Sequence, residues 1–475
     1  MNHRQFRNHF VLEIVRRMSI ARTSFGLGHE VRRTALLAGP LIVGQVTSYG
    51  TSVVDTVMAG RLGPLELGAV AVGSSIFGAG LMFTAGTMMA VSATVSQLVG
   101  AGHKHRVGEQ TRQSLWLAAM ISALLWFLIR QGDLVMGMIG VAPEVAAVAT
   151  GYLRAISWGI PALTGLFVLR FFSEGIGYTR PTMYIGLFGI ALNIPLNYVF
   201  MFGKLGLPQL GAVGCGWATA IVFWLQLLAL TGWIAWRGHY RPFALFGRFS
   251  APNWRAIRDL ARLGVPIGVT IFLEGSLFVG SALLIGTLGS VPVAAHQVAV
   301  NFAGLMFMVP LGISGAITVR VGHAAGRGDG PGVFCAGVAG IGLALSFGVL
   351  SLTAMLLFPK LIVGFYTSDP EVSRLAVRLL FLAAVFQLAD CIQVSSAGAL
   401  RGLKDTRMPM LYCLLAYWAV GMSLGWWLTF ARGWGPAGMW CGIIAGLSVA
   451  ALLLSSRFLR TAGGFRRLSG VSATG

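Results

Sequence analysis

Three carboxylates stand where a carboxylate is hardest to keep. Asp55, Glu274 and Asp390 each lie within a long apolar stretch, while most of the fifteen acidic residues fall in short polar segments or at the ends of such stretches. A charge placed in hydrocarbon costs about 3 kcal/mol on insertion-based scales, so it faces a protein interior or a wet cavity and marks an ion path. A partly desolvated carboxylate can exchange a proton near neutral pH, and one with further oxygens around it can hold Na+. The alternative is a protonated carboxyl hydrogen-bonded between helices. No Lys or Arg is expected at comparable depth.

Each acid has polar company at helical spacing. Asp55 follows Gln45, Thr47, Ser48, Tyr49, Thr51 and Ser52, an unusually polar run whose one face can line water near the expected extracellular end of a first helix. Asn193 and Asn197 are four apart, hence on one face, and Pro195 between them frees a backbone carbonyl. Such a pair serves a site or simply glues helices together. In the second half, Asp390 lies between Gln387 and Gln393, Glu274 sits mid-helix, and Gln297 with Asn301 can face the same cluster. A second polar cluster is expected here. His296, near a helix start, reads as a satisfied interfacial residue and not as a proton relay.

The elements that carry these residues are membrane spans. Of 475 residues 56% are hydrophobic and only 11% charged, with a mean hydropathy of +0.77, which excludes a water-soluble globule. Uncharged runs such as 67–102, 205–236 and 330–359 are long enough to cross a bilayer. About twelve spans result, near 34–56, 68–100, 111–131, 146–170, 182–202, 211–236, 260–285, 294–320, 332–358, 374–397, 408–430 and 436–457. Five cysteines without CxxC spacing indicate neither disulfides nor zinc. Nothing resembles a phosphate loop, a nucleophile elbow or a metal-spaced His cluster, so no enzyme activity and no cofactor is expected beyond Na+ or H+ as coupling ion.

A net charge of +20 suggests nucleic acid until the basic residues are placed. With both termini cytoplasmic, 27 of the 35 Lys and Arg fall on the inside, the bias expected of an even number of spans. No nucleic-acid partner is expected. The chain is also two tandem halves. GRLG at 60–63 recurs as GTLG at 286–289, GLMF at 80–83 as GLMF at 304–307, Thr179 and Arg180 as Thr406 and Arg407, and Cys215 and Gly216 as Cys441 and Gly442. Their common order and nearly constant offset point to a duplication. Six spans per half put both halves in the membrane in the same sense, with a cavity between two bundles.

The fold expected is therefore an all-α integral membrane protein of two six-helix lobes, related by a pseudo-twofold axis along the membrane normal. Residues 1–33 form a basic cytoplasmic extension without a cleavable signal, 34–236 the N-lobe, 237–259 a cytoplasmic linker, 260–457 the C-lobe and 458–475 a cytoplasmic tail. The 29 Phe, 13 Trp and 18 Met can build an adaptable apolar cavity, or serve as lipid-facing bulk and interface belts.

Local strings carry a family resemblance over about 34–457: VDTVMAGRLG at 54–63, FSEG at 172–175 with TRPT at 179–182, NIPLN at 193–197, GAVGCG at 211–216 and QVSSAGALRG at 393–402. Together they resemble the multidrug and toxic compound extrusion (MATE) family, in its NorM-like bacterial branch. The resemblance implies a multi-pass protein of the bacterial inner membrane, expected as a monomer amid membrane lipid, that exchanges organic cations or drugs for Na+ or H+. It further implies that Asp55 with Asn193 and Asn197 forms an N-lobe cation site, and Glu274 with Asp390 a C-lobe site. Relatives often carry Tyr four residues before the second-half Asp; here that position is Phe386. Two other readings stay open: a flippase for lipid-linked precursors, which favours a basic cavity, and a passive channel, which needs no carboxylate cycle.

Overall fold

A backbone placed in hydrocarbon must satisfy its own hydrogen bonds, which leaves long apolar runs no choice but helix. The computed structural model describes residues 26–471, and it is helical throughout apart from short connections, with no strand among the described residues. The long helices are α1 (Leu27–Gly60), α2 (Pro64–Gly100), α3 (Lys104–Ile129), α4 in two segments (Pro143–Ser157 and Ile160–Gly175), α5 (Arg180–Phe202), α6 (Gly211–Trp236), α7 (Trp254–Gly286), α8 (Ser290–Gly326), α9 (Gly330–Leu357), α10 (Pro370–Gly402), α11 (Arg407–Ala431) and α12 (Pro436–Val471). Ten of these are long and apolar enough to cross a membrane, and the two segments of α4, bent by 48°, make an eleventh. The remaining long helix, α1, has the length but carries the polar run that ends at Asp55. Counting it gives the twelve spans expected. Both ends of the described chain then lie on one side, the near side.

The N-terminal extension expected at 1–33 lies mostly outside the described residues; its last part, from Leu27, is already the first turns of α1.

The duplication is visible in the backbone. Gly63 and Gly289, equivalent by sequence, have φ of 137° and 115°, a region closed to residues with a Cβ. Each turns the chain tightly into a helix of 37 residues, α2 and α8. The halves differ at α4 and α10. In α4, Pro161 removes a backbone donor and Gly159 lies against Ala220, so the helix breaks. The equivalent stretch of α10 has neither residue and runs unbroken from Pro370 to Gly402.

Buried side chains segregate in the same way. One core gathers chiefly residues of α7 to α12, including Leu277, Ile317, Leu380, Tyr417 and Trp440, and takes in Ala38 and Leu41 of α1. Of two smaller ones, that around Val70, Tyr152 and Met201 lies in the first half, and that around Met88, Phe172 and Tyr240 extends to Ile257 and Leu260 of α7. The halves meet where α1 packs on α8 and α2 on α7. At the second crossing a Cβ on Gly86 would stand 2.7 Å from the Cα of Gly268, so glycine is what lets these helices approach.

The connection between halves is a strap fixed to α3. A 3-10 turn (Gly238–Phe243) leads into a segment that Gln113 holds from both sides, donating to the carbonyl of Ala251 at 2.9 Å and accepting from the N–H of Asn253 at 2.8 Å. Arg112 donates to Ser250 Oγ at 2.6 Å and Trp116 to its carbonyl at 3.0 Å. Asn253 then caps α7, accepting from the N–H groups of Arg255 and Ala256.

Candidate functional site

Asp55 is 8% exposed, near the far-side end of α1, and three donors converge on it. Asn193 and Asn197 of α5 reach Oδ1 at 3.1 and 2.6 Å, and Thr219 of α6 reaches Oδ2 at 3.4 Å. Asn197 also donates to Oδ1 of Asn193 at 3.1 Å, which leaves its own buried Oδ1 unpartnered. The four-residue spacing and Pro195 present both amides on one face, and helix spacing alone accounts for their meeting. Ser48, Thr51, Ser52, Tyr152 and Gln226 line a cavity of about 250 Å³ with Asp55.

The polar run of α1 does not act as one face. Ser48, Thr51 and Ser52 turn with Asp55 into that cavity. Gln45 instead lines a narrow cleft between the halves, and Tyr49 donates across the seam to the backbone carbonyl of Asn301 at 3.3 Å.

In the second half, Asp390 is 1% exposed and neither carboxylate oxygen has a hydrogen-bond donor among the described residues. Gln387 and Gln393 are buried on the same helix, and Gln393 donates to the phenol oxygen of Tyr417 at 2.6 Å. Glu274, partly buried on α7, lies within electrostatic reach of Asp390 and of Arg401. Gln297 and Asn301 do not join this group: Gln297 donates to Asn301 Oδ1 at 3.2 Å, at an exposed position. Phe386, 3% exposed, packs edge-on against Phe278 and Trp440, so its apolar ring fills core. His296 departs from the interfacial reading, being buried against Trp440 with Nδ1 unpartnered.

Two features escaped the sequence. Tyr417 lies in a π-helical stretch, Leu415–Met422, where the ordinary helical period no longer says which residues share a face. The expectation that no basic residue is deep also fails: Arg170, Arg320 and Arg401 are held inside the bundle toward the near side. Arg170 donates to Glu174 at 2.8 Å, with Thr182 on the same carboxylate at 3.0 Å. Arg320 of α8 grips Glu30 of α1 in a forked pair with contacts of 2.6 and 2.7 Å. Arg401 sits in the last turn of α10, and Arg170 and Arg320 lie five and six residues before the ends of their helices, close enough that a sequence reads their charge as loop.

The contrast sorts the acids by role. Glu30 and Glu174 each have an arginine, and among the described residues Asp55, Glu274 and Asp390 form no ion pair. Nor do three His, Cys, Asp or Glu side chains converge anywhere among the described residues as a transition-metal site would require.

Two helical bundles in tandem, each with an unpaired acid or acids in its interior, define a two-lobed polytopic membrane protein. The MatE family model matches residues 40–199 and again 266–427, once in each half, and the chain belongs to that family. It is 46% identical to a probable multidrug resistance protein NorM of Xanthomonas axonopodis pv. citri over 446 residues, 94% of this chain and 96% of the relative. It is 40% identical to the multidrug resistance protein PmpM of Pseudomonas aeruginosa over 447 residues, 92% and 93% of the two chains. Among solved structures it shares the fold of the eukaryotic MATE transporter AtDTX14 (TM-score 0.83, 21% identity, 93% and 99% of the chains). It also shares that of an outward-facing multidrug resistance MATE family transporter (TM-score 0.85, 19% identity, 92% and 97%).

Proposed function

We propose that this protein exports organic cations and related drugs across a bacterial inner membrane in exchange for Na+ or H+, and that it does so as a monomer with no catalytic activity or resident cofactor. The near side is the cytoplasm, on the strength of the 27 of 35 basic residues that then lie inside. The units that move are an N-lobe of 34–236 and a C-lobe of 260–457, joined by the linker at 237–259, with a basic extension at 1–33 and a tail at 458–475, both cytoplasmic.

The observation that carries this reading is Asp390, a buried carboxylate whose two oxygens have no donor among the described residues. Such a group is costly unless it takes a proton or a cation, and either occupant can be delivered from outside and released inside. In the other lobe the amides of Asn193 and Asn197 donate to Asp55, offsetting part of the cost of burying its charge, and a cationic drug or ion there would supply the counter-charge. Glu274 adds the second charge of the C-lobe site, Gln387 and Gln393 line it, and Na+ there would be held by Glu274 and Asp390. Gln45, Tyr49 and Asn301 belong to the seam between lobes, where a substrate must pass, and Gln297 donates to Asn301 from an exposed position one turn away.

The cytoplasmic ends are clasped together. Besides Glu30 and Arg320, Gln97 donates to the carbonyl of Gly402 at 2.8 Å and His323 Nε2 meets that of Gly175 at 2.9 Å. Alternating access requires these contacts to break while the lobes stay intact. Proteoliposomes loaded with a cationic dye and given a Na+ or a pH gradient separately test the reading. Gradient-driven movement that Asp390→Asn abolishes is the result expected; full movement in both Asp55→Asn and Asp390→Asn overturns it.

A further inference from the structure

Where α10 turns into α11 on the near side, a cavity of about 420 Å³ lies between the two halves. Thr94 of α2 and Gln110 of α3 line it from the first half, and Arg262 of α7 with Lys404, Thr406 and Arg407 line it from the second. Thr94 and Thr406 are only 8% and 5% exposed, yet neither hydroxyl has a hydrogen-bond partner among the described residues. A helical Thr ordinarily bonds a carbonyl of the preceding turn. Thr318, the match of Thr94 in the second half, does so and also donates to the carbonyl of Gly398. Two buried hydroxyls, one from each lobe, are thus left to face the cavity.

The cavity also carries cations that the protein leaves without a counter-charge. Of its two acids, Asp405 is taken by Arg457 at 2.5 Å, and Asp259 stands 4.0 Å from Arg262 with both side chains exposed. Lys404 and Arg407 form neither an ion pair nor a side-chain hydrogen bond among the described residues. Thr406 precedes α11 without capping it, so the free N–H groups of the first turn add positive charge at the same corner.

The duplication shows that this corner is not a packing accident. Counting from Thr179 and Thr406 aligns Gly177 with Lys404 and Tyr178 with Asp405. Gly177 and Lys404 are both left-handed, with φ of 85° and 60°, a conformation natural to glycine and costly for lysine. In the first half Tyr178 closes the corner by packing on His239 and Tyr240. The second half leaves it open and keeps a lysine on strained backbone, the mark of a side chain held for its chemistry.

We propose that this cavity binds a phosphate group, offered by the headgroup of an anionic phospholipid or by a free phosphate, and that the bound group ties the two lobes together on the near side. Lys404 and Arg407 supply the counter-charge. Thr406 and the start of α11 donate from one lobe, Thr94 and Gln110 from the other, and tetrahedral oxygens reach both walls at once. Leu260 and Leu263 complete the lining, beside which the glycerol of a headgroup has room. The consequence for transport, a protein held closed to the cytoplasm, rests on the export reading.

The test uses the full chain, stripped of lipid in detergent. Its unfolding midpoint is followed against phosphatidylglycerol and phosphatidylcholine, and against inorganic phosphate replacing chloride at constant ionic strength. A rise with phosphatidylglycerol that phosphatidylcholine does not give supports the site with a lipid as source, and a rise with inorganic phosphate alone supports it with a free phosphate. Lys404→Gly gives this corner the residue of the first half, so without ligand it should unfold no lower than the unaltered chain. It should also need about tenfold more ligand for the same rise. Arg248→Gln, which removes an equal charge from the linker, should respond as the unaltered chain does. The ligand should in addition slow thiol labelling of a cysteine placed at Ser96, on the seam against Gly322, and fail to slow it in Lys404→Gly.

No rise with any phosphate-bearing ligand, an equal rise with phosphatidylcholine, or as large a loss in Arg248→Gln as in Lys404→Gly overturns the inference. So does binding that leaves labelling at Ser96 unchanged. A full phosphate response from a chain that moves no dye under either gradient removes the export reading and leaves the site standing, whereas transport without any response removes this inference alone.

Discussion

Asn197 donates to Asp55 at 2.6 Å, the shortest hydrogen bond received by any of the three intramembrane acids among the described residues. Removing it with Asn197→Ala leaves a buried carboxylate on two longer contacts. The expected cost is about 1 to 3 kcal/mol of stability, seen as a lower unfolding midpoint in detergent, together with weaker coupling-ion affinity. An unchanged midpoint would mean that Asp55 is already satisfied by water in its cavity.

Asp390 should behave in the opposite way. Asp390→Asn removes a charge that no donor compensates, so the unfolding midpoint is expected to stay or rise while gradient-driven efflux falls to the level of empty liposomes. A fall in both together would show that the acid is structural.

Glu30 and Arg320 form a forked ion pair between α1 and α8. Breaking it from one side leaves the other charge buried, so Glu30→Gln should destabilise the clasped state by about 3 kcal/mol. The readout is faster thiol labelling of a cysteine placed at Ser96, which the clasp covers. The exchanged pair Glu30→Arg with Arg320→Glu should slow labelling again, and failure to do so would separate the clasp from this ion pair.

The strap has its own pH dependence. Hydrogen bonds from Ser250 and then Gln113 hold the Glu109 carboxyl below its usual range. A depressed folded-state value contributes stability that is complete above the unfolded value and fades as pH falls through the folded one. Limited proteolysis between 244 and 253 should therefore be unchanged from pH 8 to 6 and rise only below about pH 4. In Glu109→Gln that acid-induced rise should be absent.

Much of this was legible in one sequence, for reasons that also set the limit. Lipid leaves helix as the only outcome for a long apolar run, and a fixed offset betrays a duplication, so the spans, the two halves and the matching turns at Gly63 and Gly289 follow from residues alone. Asn193 and Asn197 could be placed together because they share one helix. Their meeting with Asp55 needed three dimensions, as did the turning of Gln45 and Tyr49 toward the seam. Periodicity says which residues share a face and never which helix that face meets. Tyr417 was hidden by a change of helical period, and Arg401 by its place in a last turn.

The strap's attachment by Gln113, Arg112 and Trp116 has a consequence for how the chain is made. These anchors all lie in the half that leaves the ribosome first, so the first bundle can collect its own trailing segment before the second bundle exists. The seam left by an ancestral gene fusion has become the closing stitch of the earlier copy. The later copy enters the membrane from a point whose position is already decided.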